Sequence, residues 1–154
     1  MALLEKFICV KKSTVPKAGK GLFAKSFIPK GSRIVEYKGR KTTWKEVDGQ
    51  DGNNGYIYYI KKDHVIDASP TPKALARYAN DANGLIKVKG VRNNARYAEE
   101  GLKVYIEAVK DIPAGSEILV DYGKEYWQVI RHNLKVDRQR QAKKAKKNIR
   151  SVKF

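Results

Sequence analysis

The sequence predicts a mostly β domain of several small sheets, followed by a C-terminal helix and a basic tail. Its 154 residues are of single-domain size. Short apolar and β-branched runs alternate with glycine and proline turns, a pattern typical of small sheets rather than of βαβ units. The predicted strands are Phe7 to Lys11, Gly21 to Ile28, Arg33 to Tyr37, Tyr56 to Ile60, His64 to Asp67, Leu102 to Glu107 and Glu117 to Asp121.

One segment after the strands has helical periodicity. Trp127, Ile130 and Leu134 fall at positions i, i+3 and i+7 of a helix that starts near Lys124. A single helical turn is also compatible with Ala74 to Ala79. We therefore divide the chain into a domain of residues 1–127 and a helix with a basic tail over residues 128–154.

Cysteine and histidine usage argues against several kinds of site. Cys9 is the only cysteine, so the chain can form no intramolecular disulfide and no zinc site with three or four cysteine ligands. His64 and His132 show no ligand spacing, and we expect no metal. The opening Met1–Leu4 meets charged residues before an apolar run of signal length accumulates. We expect no membrane partner and an intracellular location, in a bacterial cytoplasm or in a nucleus.

Net charge is the strongest global feature of the sequence. There are 33 Lys and Arg against 16 Asp and Glu, a formal charge of +17. The segment from Arg131 to Phe154 holds ten basic residues and one acidic residue, and its few apolar residues predict disorder or a frayed helix in isolation. Such an arm attracts phosphate polyanions whatever their sequence. Contact with nucleic acid and a simple role in solubility are two interpretations of similar weight.

Three short motifs carry the functional argument: Gly19-Lys20-Gly21-Leu22, Arg77-Tyr78-Ala79-Asn80 and Glu117 to Gly123. Each alone is an ordinary turn or strand end. Together and in this order they resemble the SET-domain protein-lysine methyltransferases, over about Phe7 to Trp127. The resemblance implies a β-clip fold with a threaded, knot-like crossing. It also implies S-adenosylmethionine as cofactor and a protein substrate with a target lysine, such as a histone or another basic, nucleic-acid-associated protein.

The resemblance also assigns cofactor contacts. The glycine motif matches a loop whose main chain approaches the cofactor's methionine end, because glycine has no Cβ to obstruct a ligand. Asn80 matches the asparagine of an Asn-His-Ser motif, which holds the amino-acid portion. Most chromatin enzymes of the family carry a cysteine-rich closing segment after this body, and we expect none here, so Trp127 either stacks on the cofactor or substrate, or anchors the helix to the core. The implied cofactor-binding residues are Gly19, Lys20, Gly21, Leu22, Arg77, Tyr78, Asn80, Asp81, Tyr122 and Trp127.

The sequence departs from the family pattern directly after Asn80. Asp81 stands where His is usual, and Ala82 stands where Ser is usual. An extra basic loop, Gly84 to Arg92, then precedes Asn93-Asn94-Ala95, which resembles a Pro-Asn-Cys or Pro-Asn-Ala turn. The change at Asp81 either weakens cofactor binding or replaces one polar contact by another.

Three tyrosines are implied to carry the chemistry. Tyr122 resembles the family's essential tyrosine, while Tyr37 and Tyr97 resemble walls of a channel for the substrate lysine. The chain has nine tyrosines, so core packing is the competing explanation for any one of them. Methyl transfer needs a neutral amine, and a narrow aromatic channel beside a cationic cofactor favours loss of the lysine proton. A hydroxyl at Tyr97 near the nitrogen favours low methylation states.

Two further hypotheses remain open from the sequence. The chain could be a basic nucleic-acid-binding protein on a catalytically weakened SET scaffold, with contacts from Lys87, Lys89, Arg92 and the tail. Salt-dependent binding of nucleic acid without cofactor binding would favour this alternative. A SET-related domain acting on a ribosomal or nucleoid protein is the third hypothesis.

Overall fold

The computed structural model describes residues 3–47, 56–61, 63–83 and 89–123, together with Gln139 and Ala142, which are helical. The chain separates into two compact units, Met1–Tyr122 and Gly123–Phe154. The helix start predicted near Lys124 and its apolar positions lie outside the described residues, as does most of the tail. In the described part of the chain, no helix is long and apolar enough to cross a membrane.

Nine strands in the described residues form three antiparallel sheets of three strands each. The first sheet has the order β1-β2-β9, the second β3-β8-β7 and the third β4-β6-β5. A short helix α1 spans Trp44–Val47, and 3-10 turns span Glu5–Phe7 and Leu75–Tyr78. The strands are β1 (Ile8–Lys12), β2 (Lys20–Ala24), β3 (Arg33–Glu36), β4 (Arg40–Thr42), β5 (Ile57–Lys61), β6 (His64–Asp67), β7 (Ala95–Glu100), β8 (Lys103–Ala108) and β9 (Glu117–Ile118).

The mostly β architecture confirms the predicted fold class, and most strand predictions lie within one or two residues of the observed bounds. Two strands were missed, β4 and β7. Arg40–Thr42 contains no apolar residue, and its pairing with β6 is what makes it a strand. Ala95–Glu100 contains three charged residues and no Val, Ile or Leu, and it pairs along its whole length with β8. Neither segment has the alternation of apolar residues by which strands are identified in a sequence.

Other strand ends also differ from the prediction. The strand predicted to run from Gly21 to Ile28 ends at Ala24, and Ile28 instead makes one bridge to Ile112. The strand predicted to run to Asp121 ends at Ile118. The helical turn suggested for Ala74 to Ala79 is the 3-10 turn Leu75–Tyr78.

The main core draws buried side chains from all three sheets. In β8, Val104, Ile106 and Ala108 alternate with more exposed residues, so one face of this central strand is buried. The largest fully buried side chains come from several strands and from the segments between them: Leu22, Ile28, Ile34, Val35, Val65, Val104, Ile106, Ile112, Ile118 and Val120. Burial of this apolar surface is the main favourable term for the fold.

The segment after β9 brings distant parts of the chain together. Leu119 makes a parallel bridge with Asn80, and Val120 makes one with Ala95. The Val120 amide donates to the Asn80 carbonyl at 2.8 Å, and the Ala95 amide donates to the Leu119 carbonyl at 3.0 Å. Asn80 and Ala95 therefore both pair with the segment that leads to Tyr122. The second motif, which ends at Asn80, contacts the third motif, which ends at Gly123, through these bonds.

Candidate functional site

Four tyrosine rings from four separate segments of the chain form a continuous cluster. Tyr37 lies 5.9 Å from both Tyr58 and Tyr97, measured between ring centroids. Tyr58 and Tyr97 are 5.2 Å apart in an edge arrangement, and Tyr97 stacks on Tyr122 at 6.2 Å. The three tyrosines singled out from the sequence are thus neighbours, and Tyr58 joins them. We call these four residues the tyrosine cluster.

The strands position these rings. Tyr37 follows β3, and its amide donates to the Val104 carbonyl of β8 at 2.7 Å. Only 5% of Tyr37 is exposed, and its hydroxyl donates to the Tyr56 carbonyl at 2.7 Å. Tyr97 stands opposite Ile106 in the β7–β8 pair, on the face that β8 turns towards the core.

Tyr122 is held at both ends by the segment that contains the second motif. Its amide donates to a carboxylate oxygen of Asp81 at 2.9 Å. Its hydroxyl donates to the main-chain carbonyl of Ala79. The phenol therefore lies against the carbonyl that directly precedes Asn80.

Tyr58 was not singled out from the sequence. Its hydroxyl donates to Glu99 at 3.0 Å, which links β5 of the third sheet to β7 of the second. Burial, followed by the hydrogen bond and the charge of Glu99, raises the pKa of Tyr58 well above its ordinary value of 10.0. The signal that could have identified it is the spacing of two residues between Tyr56 and Tyr58, which predicts a shared face of a strand.

A buried carboxylate organises the glycine motif. Glu117 is 7% exposed and accepts hydrogen bonds from the Ser13 hydroxyl at 2.6 Å, the Thr14 hydroxyl at 2.6 Å and the Thr14 amide at 2.9 Å. A Cβ at Gly21 would come within 2.3 Å of the same carboxylate. Gly19 adopts a positive φ of 72°, which glycine tolerates best. Glu117 was part of the third motif, but the sequence assigned it no role.

A cavity of about 920 Å³ borders this loop, lined by residues between Val10 and Lys20. Its volume lies within the range of small-molecule sites, roughly 300–1,000 Å³. Its wall includes the main chain of Gly19 and four lysines: Lys11, Lys12, Lys17 and Lys20. This surface offers main-chain groups and positive charge, which suit the carboxylate end of an amino-acid-like ligand.

Asn80 connects the cavity wall to the tyrosine cluster. Its side-chain amide donates to the Lys20 carbonyl at 2.9 Å, while the carbonyl of the preceding residue, Ala79, accepts the Tyr122 hydroxyl. Two of the predicted regions, the glycine loop and the essential tyrosine, are therefore joined through the second motif.

The side chains of three other residues in the predicted cofactor set are engaged within the protein. The Leu22 side chain is fully buried in the core. The Arg77 guanidinium donates to the Ala68 and Ser69 carbonyls at 2.8 and 3.0 Å, and the Tyr78 hydroxyl donates to the Pro72 carbonyl at 2.5 Å. These two side chains bind the turn after β6. Trp127 lies outside the described residues.

Among the described residues, no group of three or more histidine, cysteine or acidic side chains could hold a metal ion.

Comparisons with known proteins bear on the family and the fold of the chain. A family model described as "SET domain" matches residues 19–123. A curated relative, the histone-lysine N-methyltransferase set-17 of Caenorhabditis elegans, is 31% identical over an alignment of 121 residues that covers 76% of this chain. The match covers 41% of that relative, so the chain spans about two fifths of its length.

Two solved structures share the fold. The methyltransferase domain of human PR domain-containing protein 2 has a TM-score of 0.58 and 28% identity, covering 78% of this chain and 79% of that one. A humanized mutant of the Chaetomium thermophilum Polycomb Repressive Complex 2, bound to an inhibitor, has a TM-score of 0.61 and 25% identity. That match covers 79% of this chain and 15% of the other.

Proposed function

Because the chain belongs to the SET-domain family of protein-lysine methyltransferases, we propose that it transfers a methyl group from S-adenosylmethionine to a lysine of a protein. The proposed substrate is a histone or another basic, nucleic-acid-associated protein. We propose an intracellular location, either the bacterial cytoplasm or the nucleus.

The observation that carries this proposal is the connection between the cavity and the tyrosine cluster. Asn80 contacts the glycine loop through its side chain, and the neighbouring Ala79 carbonyl meets the Tyr122 hydroxyl. A cofactor in the cavity and a lysine among the tyrosines would meet at these two residues. Methyl transfer requires this kind of convergence, because the amine must approach the methyl carbon in line with the breaking bond.

The tyrosine cluster supplies the environment that a lysine nucleophile needs. A free lysine has a pKa of about 10.4, so at neutral pH its amine is protonated and cannot attack. Aromatic walls remove water from the ammonium group, which lowers the pKa of the substrate lysine. S-adenosylmethionine would supply the electrophilic methyl group and a positive charge that acts in the same direction. The proton leaves to solvent before the nitrogen lone pair attacks.

The hydroxyl groups of the cluster position the nitrogen. Tyr122 and Tyr97 stack on each other, and Tyr122 is fixed on the Ala79 carbonyl. We assign Tyr122 as the catalytic tyrosine and Tyr37 and Tyr97 as channel walls, with Tyr58 as a further wall. Because a hydroxyl at the Tyr97 position would occupy room near the nitrogen, we propose that the product lysine is in a low methylation state.

We propose that the cofactor occupies the cavity beside the glycine loop. We assign Gly19, Lys20, Gly21 and Asn80 to the methionine end, through main-chain groups and the Asn80 side chain. Leu22, Arg77 and Tyr78 would contribute only main-chain groups, because their side chains are buried or bound elsewhere. Trp127 remains the proposed stacking residue.

The proposal is tested by isothermal titration of S-adenosylmethionine, followed by transfer of tritiated methyl groups to histones and to cell lysate. Wild-type protein should bind the cofactor and label a substrate. Tyr122→Phe should still bind the cofactor but lose labelling by about 100-fold or more, as expected when a positioned polar group is removed from a reacting centre.

Tyr105→Phe is the matched control for that substitution. Tyr105 lies on β8, where its ring faces the Arg33 guanidinium at 4.2 Å, and it alternates with the residues of the buried face. Removal of the Tyr105 hydroxyl should leave substrate labelling at the wild-type level. Equal labelling by the Tyr122→Phe and wild-type proteins would contradict the assigned role of Tyr122.

We also propose that the basic tail contacts nucleic acid around the substrate. The support is the concentration of ten basic residues between Arg131 and Phe154. Absence of cofactor binding, together with salt-dependent binding of double-stranded DNA, would instead favour the alternative of a nucleic-acid-binding protein on a catalytically weakened scaffold.

A further inference from the structure

Two positions at which the sequence departs from the family pattern contact each other. Asp81 replaces the usual histidine, and Asn93 replaces the usual proline. The Asn93 side-chain amide donates to the Asp81 carboxylate at 2.8 Å, and the Asn93 side-chain oxygen accepts the Ala82 amide at 2.8 Å. A proline at position 93 could make neither bond, because it has no polar side chain.

The Asp81 carboxylate also reaches the catalytic tyrosine. One oxygen, Oδ2, accepts the Tyr122 amide at 2.9 Å. The other, Oδ1, accepts the Asn93 side chain and the Asn83 amide, each at 2.8 Å. Three separate segments of the chain therefore meet at a carboxylate that is only 3% exposed.

These bonds are of the stronger kind. Hydrogen bonds to an ionised carboxylate are shorter and roughly twice as strong as those between neutral groups. Burying a carboxylate costs free energy unless it accepts hydrogen bonds. Here both Asp81 oxygens accept hydrogen bonds, from main-chain amides and from the Asn93 side-chain amide. Asp81 is thus occupied by protein donors rather than available as a base for the substrate.

We propose that Asp81 and Asn93 form a positioning pair that fixes the main chain of Tyr122, and through it the phenol, for methyl transfer. This inference rests on the proposed function. Tyr122 is held at its amide by Asp81 and at its hydroxyl by Ala79, two residues earlier in the same segment. Loss of the hydrogen bond from the Tyr122 amide to Asp81 would let the Tyr122 main chain move relative to the Ala79 carbonyl, to which the Tyr122 hydroxyl donates.

Asn93 acts on Tyr122 only through Asp81. It orients the carboxylate from one side, and its bond to the Ala82 amide fixes the turn in which Asp81 lies. The two residues should therefore be coupled, so that removal of both costs little more than removal of Asp81 alone.

Amide hydrogen exchange of ¹⁵N-labelled protein tests the contact without any need for activity. In Asp81→Asn and Asp81→Ala, exchange of the Tyr122 amide should accelerate about tenfold or more, because a charged acceptor is lost. Asn93→Ala should give a smaller acceleration. The Leu119 amide, which donates to the Asn94 side chain at 2.9 Å, is the internal control and should keep its exchange rate.

Kinetics then test the positioning role. Well below the melting temperature of each variant, Asp81→Asn should lower kcat by roughly 10- to 100-fold, as expected for a misplaced reacting group. Its affinity for S-adenosylmethionine should change by less than about threefold, in contrast to the cofactor contact that the resemblance implies for Asp81, because both carboxylate oxygens accept hydrogen bonds from the protein. Asn93→Ala should lower kcat less, and Asp81→Ala with Asn93→Ala should resemble Asp81→Ala.

An exchanged pair provides a rescue experiment. Asp81→Asn combined with Asn93→Asp reverses the donor and acceptor of the contact and keeps acceptors for the Tyr122 and Ala82 amides. It should recover part of the kcat lost in Asp81→Asn and part of the Tyr122 amide protection. A purely structural role predicts lower melting temperatures with unchanged kcat.

Two results would overturn the inference: an unchanged Tyr122 exchange rate in both Asp81 variants, or faster exchange with wild-type kcat. If the wild-type protein binds no cofactor and labels no substrate, the proposed function fails. The exchange measurements would then still decide whether Asp81 and Asn93 hold Tyr122.

Discussion

At the scale of single residues, the site depends on two buried carboxylates that accept bonds from the main chain. Asp81 accepts a hydrogen bond from the Tyr122 amide, and Glu117 accepts hydrogen bonds from the amide and the hydroxyl of Thr14. Glu117 lies beside the glycine loop, and a side chain at Gly21 would overlap with it. The glycine at this position is therefore required by a protein contact as well as by any approach of a ligand.

Gly21→Ala tests this requirement. The added Cβ would lie 2.3 Å from the Glu117 carboxylate, so the carboxylate or the loop must move. We expect a loss of about 1–3 kcal/mol in the free energy of unfolding and at least a tenfold weaker affinity for S-adenosylmethionine. Urea unfolding and isothermal titration measure the two effects.

Gly31→Ala is the control for that substitution. Gly31 has a positive φ of 87°, but a Cβ there would meet nothing within 4 Å. It should cost about 1 kcal/mol from backbone strain and leave cofactor affinity unchanged. Equal cofactor affinity of the Gly21→Ala and wild-type proteins would show that cofactor binding does not require glycine at position 21.

Tyr58 gives a prediction about pH. Burial and Glu99 raise the pKa of its phenol, so the neutral form is favoured in the folded protein. This group contributes stability below the unfolded pKa of about 10, and that contribution is lost as the pH rises through the higher folded value. Phenolate absorbance during alkaline titration should include a late-ionising contribution that Tyr58→Phe removes.

Glu99→Gln separates the two causes of this shift. It removes the negative charge but leaves the burial of Tyr58, so the late ionisation should move to lower pH and remain above the ordinary tyrosine range. A titration curve identical to that of the wild-type protein would mean that Glu99 does not act on Tyr58.

At the scale of elements, the site is built where side chains of the second and third sheets contact each other. β7 carries Tyr97 and Glu99, and β5 carries Tyr58. The cluster therefore depends on the central strand β8, which pairs with β7 on one side and with β3 on the other. Tyr37 follows β3, so β8 links two of the proposed channel walls.

Ile106→Ala tests this dependence. Ile106 is fully buried in β8 and stands opposite Tyr97. The cavity left by the lost methyl and methylene groups should cost about 2–5 kcal/mol in the free energy of unfolding, measured in urea. Lys103→Ala, an exposed position on the same strand, should change it by less than about 0.5 kcal/mol. Similar costs for the two variants would show that the buried face of β8 is not the supporting element.

At the scale of the whole molecule, charge is distributed unevenly. The formal charge is +17, and the segment from residue 131 to 154 carries about half of it. A basic arm of this kind increases the rate of encounter with a polyanion-bound substrate and makes that encounter sensitive to salt.

Replacement of four tail lysines by alanine tests the arm. Each lost phosphate contact should reduce the slope of log affinity for double-stranded DNA against log salt by about 0.9. Affinity for S-adenosylmethionine should not change. The substituted residues are Lys143, Lys144, Lys146 and Lys147.

A second variant with the same change in net charge is the control. It replaces four exposed lysines that are scattered over the body, and it should reduce the slope less. Equal slopes for the two variants would assign the binding to overall charge rather than to the arm. The control residues are Lys30, Lys41, Lys45 and Lys73.

Local sequence patterns by themselves determined the fold class, most strands and the three motifs, because apolar alternation, turn residues and glycines act over a few neighbouring residues. They also identified Tyr37, Tyr97 and Tyr122, although only through a resemblance. Only the tertiary structure decided that β4 and β7 are strands, that Tyr58 joins the cluster, and that Asp81 binds Asn93 and Tyr122. These features depend on hydrogen bonds and ring contacts between residues far apart in the chain, and no local pattern specifies which distant partner a polar side chain will meet.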